Sequence, residues 1–135
     1  MTSLTEIQED LISKVKFQKT PIPMTDSDYL IFVTKGVKRF YVDAGIEDNF
    51  VSDFDKTSGT ILRTLTLTES EYATICAEIA FRNQIKDDLA EIVSYSTNAL
   101  SVSNGDKPYK NLKETIDVLE SRLSKLAFKF THKQV

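Results

Sequence analysis

One cysteine, one histidine, no tryptophan and only four glycines stand in this sequence, and each scarcity excludes a class of chemistry. Cys76 has no second cysteine for an internal disulfide. It lies between Ile75 and Ala77 in a helical apolar pattern, where a small buried hydrophobe is expected rather than a reactive thiol. His132 is far from Cys76 in the chain, so neither a zinc site nor a Cys-His nucleophile has its usual parts. The few glycines form no phosphate-cradling loop, and no nucleophile motif occurs. No catalytic residue, cofactor site or metal site is expected.

Long hydrophobic runs are missing too. The longest uninterrupted apolar stretch is Tyr29 to Val33, far too short to span a bilayer, so no membrane association is expected. The opening MTSLTEIQEDL is acidic and lacks an apolar core, so no secretory signal is expected and the protein reads as made in the cytoplasm. An excess of positive charge is also absent: 17 basic residues face 20 acidic ones, a net charge of -3, which disfavours a general DNA-binding surface.

What remains is an ordinary globular composition over 135 residues, read as one domain, 1–135, that buries roughly two-thirds of its extended-chain surface. Ser3-x-x-Glu6 opens an amphipathic stripe of Leu4, Ile7, Leu11, Ile12 and Val15. After two prolines, Thr25 or Asp26 starts a second helix carrying Tyr29, Leu30, Val33, Val37, Phe40 and Tyr41, with Gly45 at its C-terminal cap. From Glu47 to Leu67 the helical period fails. ILRTLTLT alternates like an extended segment, and the region reads as an extended connector. Within it, Asp53, Asp55 and Thr57 imitate the start of a calcium loop, but Thr64 occupies the place where a glutamate is required, so a solvated turn is expected.

Thr68-x-x-Glu71 reads as the capping box of a long third helix with Tyr72, Ile75, Cys76, Ile79, Leu89 and Ile92. A fourth helix shows Leu112, Ile116, Leu119, Leu123, Leu126 and Phe130 at alternating spacings of four and three, a heptad seam expected to pack within the same chain. Between them, Ser94 to Lys107 mixes small hydroxyl residues with Tyr95, Leu100 and Val102. It ends in an Asn104-Gly105 turn signal, with Asp106 as N-cap and Pro108 in the first turn beyond. This reads as a projecting loop or β-ribbon over 94–107. The fold class is therefore mostly α, a small bundle of about four helices with the connector (47–67) and the ribbon.

A narrow ribbon is marginal alone, so pairing with a neighbouring subunit through Tyr95, Leu100, Val102, Lys107 and Tyr109 is expected, the alternative being a surface loop folded back on its own bundle through Tyr95, Leu100 and Val102. The other end is distinguished by charge. Residues 107–135 hold seven Lys or Arg against three acids, net +4, which leaves 10 basic and 17 acidic residues elsewhere, net -7. Lys125, Phe128, Lys129, Phe130 and His132 combine aromatic anchors with that positive charge, and 128–135 is the candidate docking segment for a partner or a neighbouring copy.

Taken together, the Thr-Asp-Ser-Asp-Tyr-Leu start at residues 25–30, the long third helix, the phrase IVSYSTNALSVSNGDKPY at 92–109 and the final Leu-seam helix resemble the head-tail connector (adaptor, or head completion) proteins of tailed bacteriophages. The resemblance implies a small helical bundle without chemistry of its own that assembles into a ring, commonly of twelve copies, below the portal vertex of the filled head. It further implies that a C-terminal segment seats on the portal protein, that the ring extends the DNA channel, and that a surface is presented to the next neck or tail completion protein. Localisation would be the virion, after assembly in the host cytoplasm. DNA would pass without sequence-specific binding, and net acidity suits such a passage because each neutralised phosphate adds affinity through counterion release. The alternative from the residues alone is a cytoplasmic helical adaptor that binds a protein partner through its basic C-terminus.

Overall fold

A computed structural model describes residues 1–16, 18, 20, 23–96 and 103–133, with the backbone alone described at 90–96, 103–109 and 128–133. The chain is mostly helical, as expected, with a small three-stranded sheet. Its elements are β1 (Thr2–Ser3), α1 (Leu4–Val15), α2 (Asp26–Asp43), a 3-10 turn (Glu47–Asn49), α3 (Phe50–Asp53), β2 (Phe54–Asp55), β3 (Thr60–Ile61), α4 (Leu67–Ser96) and α5 (Ser103–Lys133).

The local signals explain most boundaries. Ser3 caps α1, its hydroxyl accepting from the Thr5 amide. At α2 the Thr25 hydroxyl accepts from the Asp28 amide while the Asp28 carboxylate accepts from the Thr25 amide, a reciprocal box. The helix closes where Gly45 takes a φ of 75°. The Gly45 amide then reaches the Val42 carbonyl and the Ile46 amide the Tyr41 carbonyl, which satisfies two of the free carbonyls of the last turn.

Helix α4 is the axis of the core. Helix α2 runs antiparallel to it, with Phe32 and Tyr29 against Phe81, Gly36 against Ala73 and Ala77, and Phe40 against Tyr72. Helix α1 lays Leu4, Ile7, Leu11 and Val15 into the same core. Helix α5 returns along α4 and buries the expected seam: Leu112, Ile116, Leu119 and Leu123 are all buried, and Leu126 is packed partly against them. Cys76 is buried as expected. Burial, only partly offset by the nearby Arg39 charge, pushes its thiol up to about 12, away from thiolate chemistry.

Three expectations need correction. The capping box of α4 is Thr66-x-x-Glu69, two residues earlier than Thr68-x-x-Glu71. The Thr66 amide donates to Glu69 Oε1 at 2.9 Å and the Glu69 amide to Thr66 Oγ1 at 3.2 Å. Both registers satisfy the pattern; the earlier one wins because Glu69 also receives Arg63 Nη2 at 2.6 Å, a charge-assisted bond.

The connector over 47–67 is only briefly extended. It starts with the 3-10 turn and α3, then forms the β2–β3 hairpin, in which Phe54 and Asp55 pair with Ile61 and Thr60 while Thr2 and Ser3 pair on the other edge. Of ILRTLTLT, Ile61 alone joins the ladder. Beyond it the Thr2 hydroxyl replaces a strand partner, donating to the Arg63 carbonyl and accepting from the Leu65 amide. The calcium-like triplet closes the hairpin turn instead: Asp55 Oδ1 accepts from the Thr57 amide at 2.9 Å, and Gly59 supplies a φ of 65°.

The ribbon expected over 94–107 is helical at both ends. Residues 94–96 belong to α4 and 103–107 to α5, so Asn104-Gly105, Asp106 and Pro108 lie inside the first turns of α5 rather than before it; 97–102 falls outside the described residues. Extending an existing helix adds one hydrogen bond per residue without a new nucleus, and Ser and Asn oppose that only weakly.

Candidate functional site

The structure distributes the sequence-derived site residues along two helices. Tyr95 lies in the last turn of α4, Lys107 and Tyr109 in the first turns of α5, and Leu100 and Val102 outside the described residues. Lys125 is exposed on α5, and Phe128, Lys129, Phe130 and His132 occupy the turns that follow it. These last turns project. Arg122 reaches Glu71 at 3.9 Å, which sets the register of the two helices. At about 1.5 Å per residue, α5 runs on for roughly 16 Å beyond Arg122, whereas α4 has only about 6 Å left before it begins. The basic segment therefore continues about 10 Å past the start of α4.

At the base of this projection a polar cluster binds three helices together. Arg39 of α2 holds Glu120 of α5 through two bonds, at 3.0 and 2.7 Å, and its Nε lies 3.4 Å from Asp43. Tyr72 of α4 donates to Asp43. Hydrogen bonding to Glu120 raises the Arg39 pKa further above its ordinary value, and the same bond holds the Glu120 carboxyl below its own. Burial, reinforced by Asp43, pushes the Tyr72 hydroxyl up, so it stays a neutral donor. Every strong group here is already paired to another, so the cluster acts as a clamp that orients α5.

A second clamp lies at the start of α4. Burial pushes the Glu69 carboxyl up, but the Thr66 amide and Arg63 outweigh it, and the net pKa is below the ordinary glutamate value of 4.5. Both carboxylates are thus held low, so they stabilise the fold fully above that value and lose the contribution as pH falls through their folded pKa values. Glu69 should dominate because its side chain is 9% exposed, whereas that of Glu120 is 43% exposed and screened by solvent. Urea midpoints should therefore fall between about pH 5 and about pH 3, and Glu69→Gln should flatten that decline more than Glu120→Gln. Equal acid sensitivity in Glu69→Gln and the parent would show that this clamp is not coupled to folding.

The surface also carries an apolar groove of about 580 Å³ between α2 and the β2–β3 hairpin. Leu4, Leu30, Ile31 and Phe54 contribute apolar lining, and the charged residues along it are Lys35 and Lys56. Leu30 and Ile31 are 36% and 52% exposed, an unusual position for adjacent large aliphatics. The signal for this groove was present in Tyr29 to Val33: five consecutive apolar residues encircle a helix, and α2 buries only Phe32 and Val33 fully, leaving Leu30 and Ile31 outside. The hairpin wall was not readable, because it depends on the long-range pairing of β1 with β3.

Among the described residues no group of three or more His, Cys, Asp or Glu is placed to hold a metal ion, and no helix is long and apolar enough to cross a membrane. The features that stand out are the basic end of α5 and an apolar groove edged by lysines. Comparison with protein-family models, with curated proteins and with solved structures finds no match.

Proposed function

We propose that the protein is a structural subunit of a tailed-phage neck, forming an oligomeric ring that joins the portal vertex to the tail and extends the DNA channel. The observation that carries this reading is the reach of α5: a clamped helix whose basic, Phe-bearing end continues about 10 Å past the start of α4, on a chain that is otherwise acidic. Such an end suits insertion into a partner, with aromatic anchors inside a charged rim. The resemblance of residues 92–109 and of the Leu seam to connector proteins supplies the identity of that partner, the portal.

Deleting residues 128–135 removes the projecting end without touching Leu112, Ile116, Leu119 or Leu123. The truncated protein should keep its helical content and cooperative melting while losing binding to purified portal. Portal binding at unchanged strength would reject the assignment. A cytoplasmic adaptor that uses the same basic end is the second reading, favoured by its net positive charge. Particle mass of the protein with portal separates the two, since a ring adds many copies and an adaptor adds one or two.

A further inference from the structure

The groove between α2 and the β2–β3 hairpin has a counterpart of opposite charge elsewhere on the same chain. The 3-10 turn and α3 present Val51 at 85% exposure. Glu47 and Asp48, both exposed, precede it by four and three residues; across the 3-10 turn Asp48 lies on the face of Val51, with Glu47 next to it in the chain. That turn is an apolar knob with two acids beside it, and Lys38 on its inner side lies over the Phe50 ring. The groove is an apolar hollow with two lysines beside it, Lys35 and Lys56, on a chain whose net charge is negative.

We infer that the groove receives the Glu47–Val51 turn of a second copy, Val51 entering against Leu30, Ile31 and Phe54 while Glu47 and Asp48 meet Lys35 and Lys56. The match is one of both polarity and sign: a buried apolar centre with a charged rim is the ordinary anatomy of a protein interface. Rim charges of opposite sign set register and favour encounter, while like charges reject it. Because the knob and the groove are different patches, the contact can repeat from copy to copy and close into a ring. It deepens the assembly reading above by naming a subunit contact, and its test needs no portal, so its failure and that of portal docking are separable.

Analytical ultracentrifugation of the full chain up to millimolar concentration supplies the test. The parent should form assemblies of two or more copies. Lys35→Glu with Lys56→Glu, which spoils the groove, and Glu47→Lys with Asp48→Lys, which spoils the knob, should each weaken self-association by about tenfold or more. All four side chains are exposed, so circular dichroism and melting should stay at the parent values. The decisive arm is the mixture of the two double variants. A reversed knob then meets a reversed groove, and an unaltered knob meets an unaltered groove, so heterotypic assembly should return to near the parent strength. A parent that is monomeric throughout, a groove variant that associates as well as the parent, or a mixture that fails to recover would each overturn the inference.

Discussion

Gly36→Ala should destabilise the fold by more than about 3 kcal/mol, although the same change in an isolated helix would be favourable by about 1 kcal/mol. The conflict of sign makes it informative. A Cβ built at Gly36 would lie 2.5 Å from the Ala77 amide nitrogen, 2.7 Å from the Ala73 carbonyl oxygen and 2.8 Å from Ala77 Cα. All three are backbone atoms of α4, so no side chain can swing aside, and the two helices must separate. Separation loosens the neighbouring contacts as well: Phe32 and Tyr29 against Phe81 on one side, Phe40 against Tyr72 on the other. Overpacking ordinarily costs about 1–3 kcal/mol, and a collision with rigid backbone belongs above that range. Urea unfolding measures it directly. Ala77→Gly should fail to rescue the variant, because the colliding atoms remain. A Gly36→Ala protein as stable as the parent would mean that α2 does not cross α4 at this point.

Gly36 also marks where sequence reading stops. Inside the α2 pattern it looks like a weak helix position, and its partners, Ala73 and Ala77, look like ordinary helix formers. Their role appears only when two segments far apart in the chain are brought face to face. The capping of α4 shows another limit: TLTESE contains two overlapping Thr-x-x-Glu patterns, and Arg63, outside the motif, decides between Thr66 and Thr68. The Tyr29–Val33 run announced more apolar surface than one helix face buries, but its outer wall depends on the hairpin. Elements whose logic is local were legible. The α1 stripe, the Thr25 cap, the Gly45 termination and the buried Cys76 each follow from residues within a few turns of one another. The clamp of Arg39 on Glu120 joins residues far apart in sequence, and nothing around either residue signals the other.

Leu123→Ala should cost about 2–5 kcal/mol, and Val118→Ala less than about 0.5 kcal/mol, though both shorten an aliphatic side chain on the same helix. The difference lies in direction. Leu123 is 2% exposed and shares the seam with Leu112, Ile116 and Leu119, at 3%, 7% and 5%, whereas Val118 stands at 61% exposure on the solvent side. Truncating Leu123 removes its transfer free energy and leaves a cavity that two helix backbones cannot easily close, since Arg39 and Glu120 hold α5 one turn away. Truncating Val118 leaves only water where two methyl groups were. The seam also bears on the proposed docking, because α5 presents its basic end only while its middle is held against α4. If that end docks on a portal as proposed, Leu123→Ala should weaken docking under conditions where the variant begins to melt, whereas Val118→Ala should dock as the parent does. Chemical denaturation of both variants, with docking measured on the same samples, tests the two together. Equal losses of stability at the two positions would place the seam on the wrong face of α5 and leave its basic end without a fixed position on the bundle.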